Sequence, residues 1–287
     1  MKKAFWIIFV YFLISFISVT KADFELKNYV MSITINQDGN AYCSEDFLIF
    51  LSDKYTTKVY EDSLVLNDLA SWQERIKIND LRTHVNRAYV DVEDIAVRPT
   101  PIFNCNNIAN TCFGKITIEY KIKPLVNSKY GIVQINNYKP RMKEYIFMPK
   151  VLSFQTTKDE ESIILPQGYS LKITIPENAN KIAFSITPNN IPEDPALFKF
   201  DPQSSKTYYI GKERMFIWQG RTLSKFYLSY EIEQQIEDEV KDYLKQLQAS
   251  SLNLIFTLLH IPYFIVFVSY LILIIWLNRL NEQKLVI

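Results

Sequence analysis

Residues 115–123 read Lys-Ile-Thr-Ile-Glu-Tyr-Lys-Ile-Lys, and they alternate strictly between polar and apolar side chains. Successive side chains of a β-strand point to opposite faces of its sheet, so this segment predicts a strand with one buried face and one wet face. Strands of this kind are typical of antiparallel sheets. The same alternation recurs on both sides of the segment, and it predicts a mainly β protein.

Upstream, residues 24–51 predict a hairpin. Two alternating runs flank Asp38-Gly39, a dipeptide that is favoured in tight hairpin turns. In the second run Cys43 has the same strand parity as Phe47, which places both side chains on the apolar face. We therefore expect Cys43 to be a buried, unreactive thiol.

Two β-rich domains are predicted from the remaining pattern. Residues 67–77 change to apolar spacings of three and four, which predicts a short helix among the strands of residues 23–125. Proline and small polar residues punctuate the chain at 124–129, and the strand pattern then returns over residues 126–232. The predicted fold class is mainly β, with a tandem antiparallel β-sandwich-like ectodomain followed by a helical stalk and one transmembrane helix.

Both ends of the chain predict export and membrane anchoring. A positively charged start and an uncharged apolar run end just before Asp23, which is typical of a cleaved secretory signal at residues 1–22. An uncleaved signal anchor is the alternative. Residues 252–277 are apolar and longer than the roughly 20 residues that a spanning helix needs. We therefore expect a single-pass type I protein with its ectodomain outside and a cytoplasmic tail at residues 278–287.

Residues 233–251 predict a juxtamembrane helix with one apolar seam. The seam consists of Ile236, Val240, Tyr243 and Leu247. It indicates either an oligomerisation surface or a stalk that docks on its own ectodomain. His260 is the one ionisable residue of the predicted span, and it is either an intramembrane functional group or an interfacial residue at the outer headgroups.

The three cysteines predict one disulfide. Cys105 and Cys112 flank a short Asn-rich segment, and an exported chain meets oxidising conditions, so we expect these two residues to be bonded. A zinc site is disfavoured because the chain has only two histidines to complete a ligand set.

Several short motifs resemble a family of proteins. They are the alternating run Tyr29-x-Met31-x-Ile33-x-Ile35 with Asp38-Gly39-x-Ala41 and Glu45, the segment Ile164-Leu165-Pro166-x-Gly168, and Trp218-x-Gly220 before a strand at Phe226 to Tyr230. Together they are similar to uncharacterised archaeal membrane-anchored envelope proteins. The resemblance implies a signal peptide, tandem β-sandwich ectodomains and a C-terminal span, and it implies no catalytic residues.

Charge and motif content argue against several classes of function. A formal net charge of +1 gives no field that would attract nucleic acid. The serine-hydrolase motif Gly-x-Ser-x-Gly and glycine-rich phosphate loops are absent from the sequence. His84 is the only ectodomain histidine, and we interpret it as a surface or hydrogen-bonded residue. No catalytic residues, metal ligands or cofactors are predicted.

The sequence thus predicts a non-enzymatic, membrane-anchored surface or envelope protein with a structural or adhesive role carried by its β domains. Its predicted partners are the membrane and a protein, either a different one or a second copy. One alternative is an accessory subunit of a membrane complex that docks through stalk and span. The other is a carbohydrate-active or peptide-active ectoenzyme, whose paired carboxylates would be set by the fold rather than by spacing.

Overall fold

The computed structural model describes residues 24–125, 131–139, 141–157 and 162–234, together with six isolated residues of the C-terminal region. The predicted signal segment and nearly all of the predicted stalk, span and tail lie outside the described residues. The described residues within 24–138 and 142–232 belong to one compact unit, and the other described residues belong to a second one.

Strands dominate the first unit. They are β1 (Phe24–Ile35), β2 (Ala41–Leu51), β3 (Val90–Asn106), β4 (Thr111–Pro124), β5 (Val133–Lys139), β6 (Met142–Phe147), β7 (Gln155–Thr156), β8 (Ile163–Ile164), β9 (Tyr169–Thr174), β10 (Ala179–Phe184), β11 (Phe198–Asp201), β12 (Lys206–Tyr209), β13 (Met215–Gln219), β14 (Thr222–Leu223) and β15 (Leu228–Glu233). The helices are α1 (Lys54–Ser63) and α2 (Leu69–Ile76), with 3₁₀ turns at Pro149–Val151 and Pro195–Leu197.

Two six-stranded sheets and one small sheet result. Sheet 1 has the order β13-β9-β1-β2-β4-β3, and sheet 2 has the order β11-β12-β10-β15-β6-β5. A three-stranded sheet has the order β14-β8-β7. Mainly β structure with sandwich-like sheets is therefore confirmed.

The division into two domains differs from the prediction. Sheet 1 takes β1 to β4 from the predicted first domain and β9 and β13 from the second, and β1 runs parallel to β9 with Tyr29 opposite Tyr169. The boundary at residues 125 and 126 therefore does not separate two sheets. The physical reason is that alternation shows which face of a strand is buried but not which strand lies beside it, and this pairing joins segments that are far apart in sequence.

The β1–β2 hairpin and the second helix agree with the sequence. Ile35 pairs with Ala41, which leaves a five-residue loop in which Gly39 alone has positive φ, at 83°. The dipeptide indicated the turn, but not its length. Helix α2 begins after Asp68, whose side chain accepts a hydrogen bond from Ser71 N.

Helix α1 was not predicted. Its N-cap is Asp53, which exchanges hydrogen bonds with Thr56 in a capping box. The buried stripe of the helix is Thr56, Tyr60 and Ser63, two of them polar, so hydrophobic spacing alone did not reveal it. Its capping residues were the available signal.

Large side chains fill the interior of the first unit. Trp72, Trp218, Tyr60, Phe47 and Phe216 are all fully buried. Trp72 comes from α2 and Trp218 from β13, so both halves of the chain contribute to the core. Among the described residues, segments of both predicted β-rich domains thus contribute to one hydrophobic core.

Candidate functional site

A buried carboxylate lies in the middle of sheet 1. Glu45 of β2 is fully buried, at 0% exposure, and it has the same parity as the apolar residues Cys43 and Phe47. Burying a charged group is costly unless other groups bond to it. Its hydrogen-bond partners therefore decide what it does.

Four donors surround the Glu45 carboxylate. Oε2 accepts a hydrogen bond from the Tyr29 hydroxyl at 2.7 Å and lies 2.8 Å from His84 Nδ1. Oε1 accepts from the backbone N–H of His84 at 2.8 Å and from the Tyr120 hydroxyl. A carboxylate offers about four acceptor sites, so these contacts satisfy it fully.

Strand register brings the donors to the carboxylate. Tyr29 of β1 lies opposite Phe47, and Tyr120 of β4 lies opposite Cys43, so both tyrosines are diagonal neighbours of Glu45 on the same face. His84 arrives from the segment between α2 and β3. We refer to Tyr29, Glu45, His84 and Tyr120 as the Glu45 cluster.

Aromatic rings close the cluster off from solvent. His84 is 2% exposed, and its ring stacks on Phe154 with centroids 5.2 Å apart. The Tyr29 ring lies 5.0 Å from those of Phe47 and Tyr169. The hydroxyl of Tyr169 donates to Asp80, which extends the hydrogen bonding toward the surface.

Burial controls the titration of the phenols and the thiol here. Burial first, and then the Glu45 charge, raises the pKa of Tyr29 well above its ordinary value. Burial also raises the pKa of Tyr120 and of the Cys43 thiol. The thiolate is the nucleophilic form of cysteine, so a raised pKa makes Cys43 a poor nucleophile. The predicted burial of Cys43 is confirmed.

The Glu45 cluster has the geometry of a structural cross-link between strands. It joins three neighbouring strands and the segment before β3 through one carboxylate. Glu45 and His84 form a hydrogen-bonded pair of the kind that also serves catalysis, but both side chains are enclosed. His84, predicted to be a surface or hydrogen-bonded residue, is hydrogen-bonded and buried. The missed signal was a carboxylate on the apolar face of Ala41–Leu51.

The predicted disulfide is present. Cys105 is bonded to Cys112 across the end of the β3–β4 hairpin. Ile108, between them, is 96% exposed, so the bond closes a projecting loop. The chain from Pro99 to Gly114 carries no charged residue. This hairpin end is an uncharged, covalently closed surface feature.

The other predicted site residues are only partly placed. Val240 is helical and 50% exposed, whereas Ile236, Tyr243 and Leu247 of the seam lie outside the described residues. His260 also lies outside them. Within the described part of the chain, no helix has both the length and the apolar character needed to cross a membrane.

Two acidic residues of β3, Glu93 and Asp94, lie in ion pairs. Glu93 contacts Lys123 at 2.5 Å, and Asp94 contacts Lys121 at 2.8 Å, on the wet face of the β3–β4 ladder. Across the described ranges, no group of three or more His, Cys, Asp or Glu side chains is arranged to hold a metal ion.

A surface groove lies beside the outer strands of sheet 2. It has a volume of about 650 Å³, and residues of β10, β11, β12 and the segment 210–214 line it. Phe200 and Ile210 are 60% and 57% exposed there. Residues 188–205 contain four prolines, which favour a loop, so the sequence did not reveal β11. Its signal was the alternation of Phe198-Lys199-Phe200.

Comparison with known proteins gives no family. No protein-family model matches the chain, and no curated protein matches it significantly. Among solved structures, it is similar to the Fcho1 mu homology domain of Danio rerio with a bound Eps15 peptide, with a TM-score of 0.16 and 8% identity. That match covers 73% of this chain and 80% of the other. A TM-score this low does not indicate a shared fold or a shared function.

Proposed function

We propose that this chain is a non-enzymatic surface protein, exported through its N-terminal signal and held by one C-terminal span, that acts structurally or adhesively through its β unit. The observation that carries the proposal is the Cys105–Cys112 disulfide. Disulfides persist in oxidising compartments outside the cytoplasm, which is where a type I topology places residues 24–232.

A binding role is supported by the contrast between the buried Glu45 carboxylate and the exposed apolar residues of the surface groove. The Glu45 carboxylate has all its acceptor sites occupied and serves to hold strands together. The surface groove, in contrast, presents two apolar side chains, Phe200 and Ile210, that are more than half exposed. Exposed apolar groups in a concave surface are typical of interaction sites.

Impermeant labelling of cysteine variants tests the topology. Val65 is 85% exposed, so Val65→Cys in the full chain should react with an impermeant maleimide on intact spheroplasts. Val286→Cys, in the predicted tail, should react only after lysis. The native Cys43 gives little background because it is buried.

The anchor is tested in the same cells. The full chain should stay in the membrane pellet after alkaline carbonate washing, and deletion of residues 252–287 should release it. Labelling of Val65→Cys only after lysis, or retention of the truncated chain in the pellet, would refute the proposal.

A further inference from the structure

The edge strands of the two six-stranded sheets differ in how they are protected against pairing with a further strand. On β13, the loop residues Asn189 and Asn190 occupy the edge. The Asn189 N–H donates to Ile217 O at 2.6 Å, and the Asn190 side chain accepts from Ile217 N at 2.9 Å. The Asn189 side chain also accepts from Gln219 N at 3.1 Å. These contacts imitate a neighbouring strand and block the addition of another.

The edge strand β3 is protected by a different device. It contains Pro99 and Pro101, which have no N–H to donate, and its register against β4 shifts between Thr100 and Phe103. Prolines and bulges are common means of preventing edge-to-edge pairing.

Strand β11 lacks these devices. It is one of the two edge strands of sheet 2, and its sequence, Phe198-Lys199-Phe200-Asp201, contains no proline. Ile210 N donates to Leu197 O at 2.9 Å, so Leu197 and Ile210 are a hydrogen-bonded pair of the antiparallel β11–β12 ladder. Hydrogen-bonded pairs alternate in such a ladder, so Lys199 bonds with Tyr208 and the N–H and C=O of Phe200 point to the open edge.

The groove beside β11 has an aromatic and basic lining. Phe200 lies on the strand, and the Tyr208 ring has the Lys181 ammonium 5.9 Å from its centroid. Lys199 and Arg214 also line the groove. Cationic side chains over or beside aromatic rings suit an extended ligand with apolar and acidic groups.

The charges of the lining are unequal. Lys181 forms an ion pair with Glu231 at 3.5 Å, which leaves Lys199 and Arg214 beside one lining carboxylate, Asp201. Asp201 accepts hydrogen bonds from Gln203 N at 3.1 Å and from the Ser204 hydroxyl at 2.9 Å within the β11–β12 turn. Among the described residues, Lys199 has no ion-pair partner. The groove is therefore complementary to a negatively charged ligand.

We propose that β11 and this groove bind an extended acidic peptide segment of a partner protein, which adds to sheet 2 as a further strand. The backbone of the segment bonds to the N–H and C=O of Phe200, and its carboxylates face Lys199 and Arg214. Strand addition of this kind derives affinity from the main chain and specificity from side-chain contacts. It rests on the proposed function, because it supplies the ligand of the adhesive surface.

Fluorescence anisotropy tests the proposal with a defined probe. A fluorescein-labelled nonapeptide of alternating glutamate and valine is titrated with the full chain in mild detergent. We expect saturable binding that weakens as salt is raised. A peptide with lysine in place of glutamate should bind at least about tenfold more weakly, which corresponds to about 1.4 kcal/mol.

Three variants separate the contributions of charge, side chain and backbone hydrogen bonding to peptide binding. Lys199→Glu should weaken binding of the glutamate peptide at least about tenfold. Phe200→Pro removes the edge N–H without removing a bond to β12, and Phe200→Ala keeps that N–H. Proline should therefore weaken binding several-fold beyond alanine. Lys58→Glu, an exposed lysine on α1, is the matched control and should bind as the wild type does.

Each remaining outcome overturns the inference. Equal binding of the two peptides, wild-type affinity in Lys199→Glu, or equal affinity of Phe200→Pro and Phe200→Ala contradicts it, provided that thermal unfolding shows the variants to be folded. Absence of binding also contradicts it. If Val65→Cys is still labelled from outside, this inference alone fails and the proposed function stands.

Discussion

At the scale of single residues, Glu45 is the group on which the interior of sheet 1 depends. One carboxylate satisfies two phenols and both the N–H and the Nδ1 of His84, and each of those groups is buried. Removing one partner of such a network costs more than the network itself contributes, because the others are left unpaired.

We predict that Glu45→Ala lowers the free energy of unfolding by about 3–5 kcal/mol. Urea unfolding followed by far-UV circular dichroism measures this change. Asp46→Asn is the matched control, since Asp46 is the next residue, faces the other side of β2 and is 33% exposed. Its change should stay below about 1 kcal/mol. A Glu45→Ala value as small as that of the control would show that the cluster does not stabilise the sheet.

The raised pKa values of Tyr29, Tyr120 and Cys43 predict a loss of stability in alkali. Their neutral forms are favoured in the folded state, so their contribution is complete below the ordinary pKa values, 10.0 for tyrosine and 9.0 for cysteine, and is lost as the pH rises beyond them. The urea midpoint should fall from about pH 9 upward. Tyr29→Phe should make the fall of the urea midpoint with pH less steep. A midpoint that is level to pH 11 would contradict the prediction.

At the scale of elements, helix α1 is held to the β3–β4 hairpin by one tyrosine. The Tyr60 hydroxyl lies 2.9 Å from both Thr100 O and Lys115 O, which share its one proton, and burial raises the pKa of Tyr60 to about 12. Its ring covers Gly114, where an added Cβ would overlap the ring. The absence of a side chain at Gly114 therefore allows the helix to approach.

We predict that Gly114→Ala lowers the free energy of unfolding by about 1–3 kcal/mol through overpacking. The same change should cost less in a Tyr60→Ala background, because the ring that it would meet is gone. A double-mutant cycle by urea unfolding measures the difference. Equal costs in the two backgrounds would mean that the strain arises elsewhere.

The sequence predicted those elements whose signals are local. Alternation indicated β1, β2 and β4, the apolar spacing of residues 67–77 indicated α2, and the loop between Cys105 and Cys112 indicated the disulfide. It missed α1, whose buried stripe is partly polar, and β11, which lies within a proline-rich segment. It also missed the Glu45–His84 contact, which joins residues 39 positions apart and depends on how the strands are registered.

At the scale of the whole molecule, the long-range pairing of β1 with β9 unites the two halves of the chain. Sheet 1 cannot be completed by residues 24–125 alone, since two of its six strands come from beyond residue 165. The groove of sheet 2 and the Glu45 cluster of sheet 1 consequently belong to one folded unit. Unfolding of either sheet should then abolish both the groove and the Glu45 cluster.

The measurement that tests this central claim most directly is urea unfolding of the full chain in detergent, followed by ¹⁹F NMR with 5-fluorotryptophan. Trp72 and Trp218 are fully buried reporters from the two halves, and their resonances are assigned by single Trp→Phe changes. Within the one labelled protein, both native signals should disappear in a single transition with the same midpoint. Two separate transitions, one for each tryptophan, would instead show two independent domains and contradict the account.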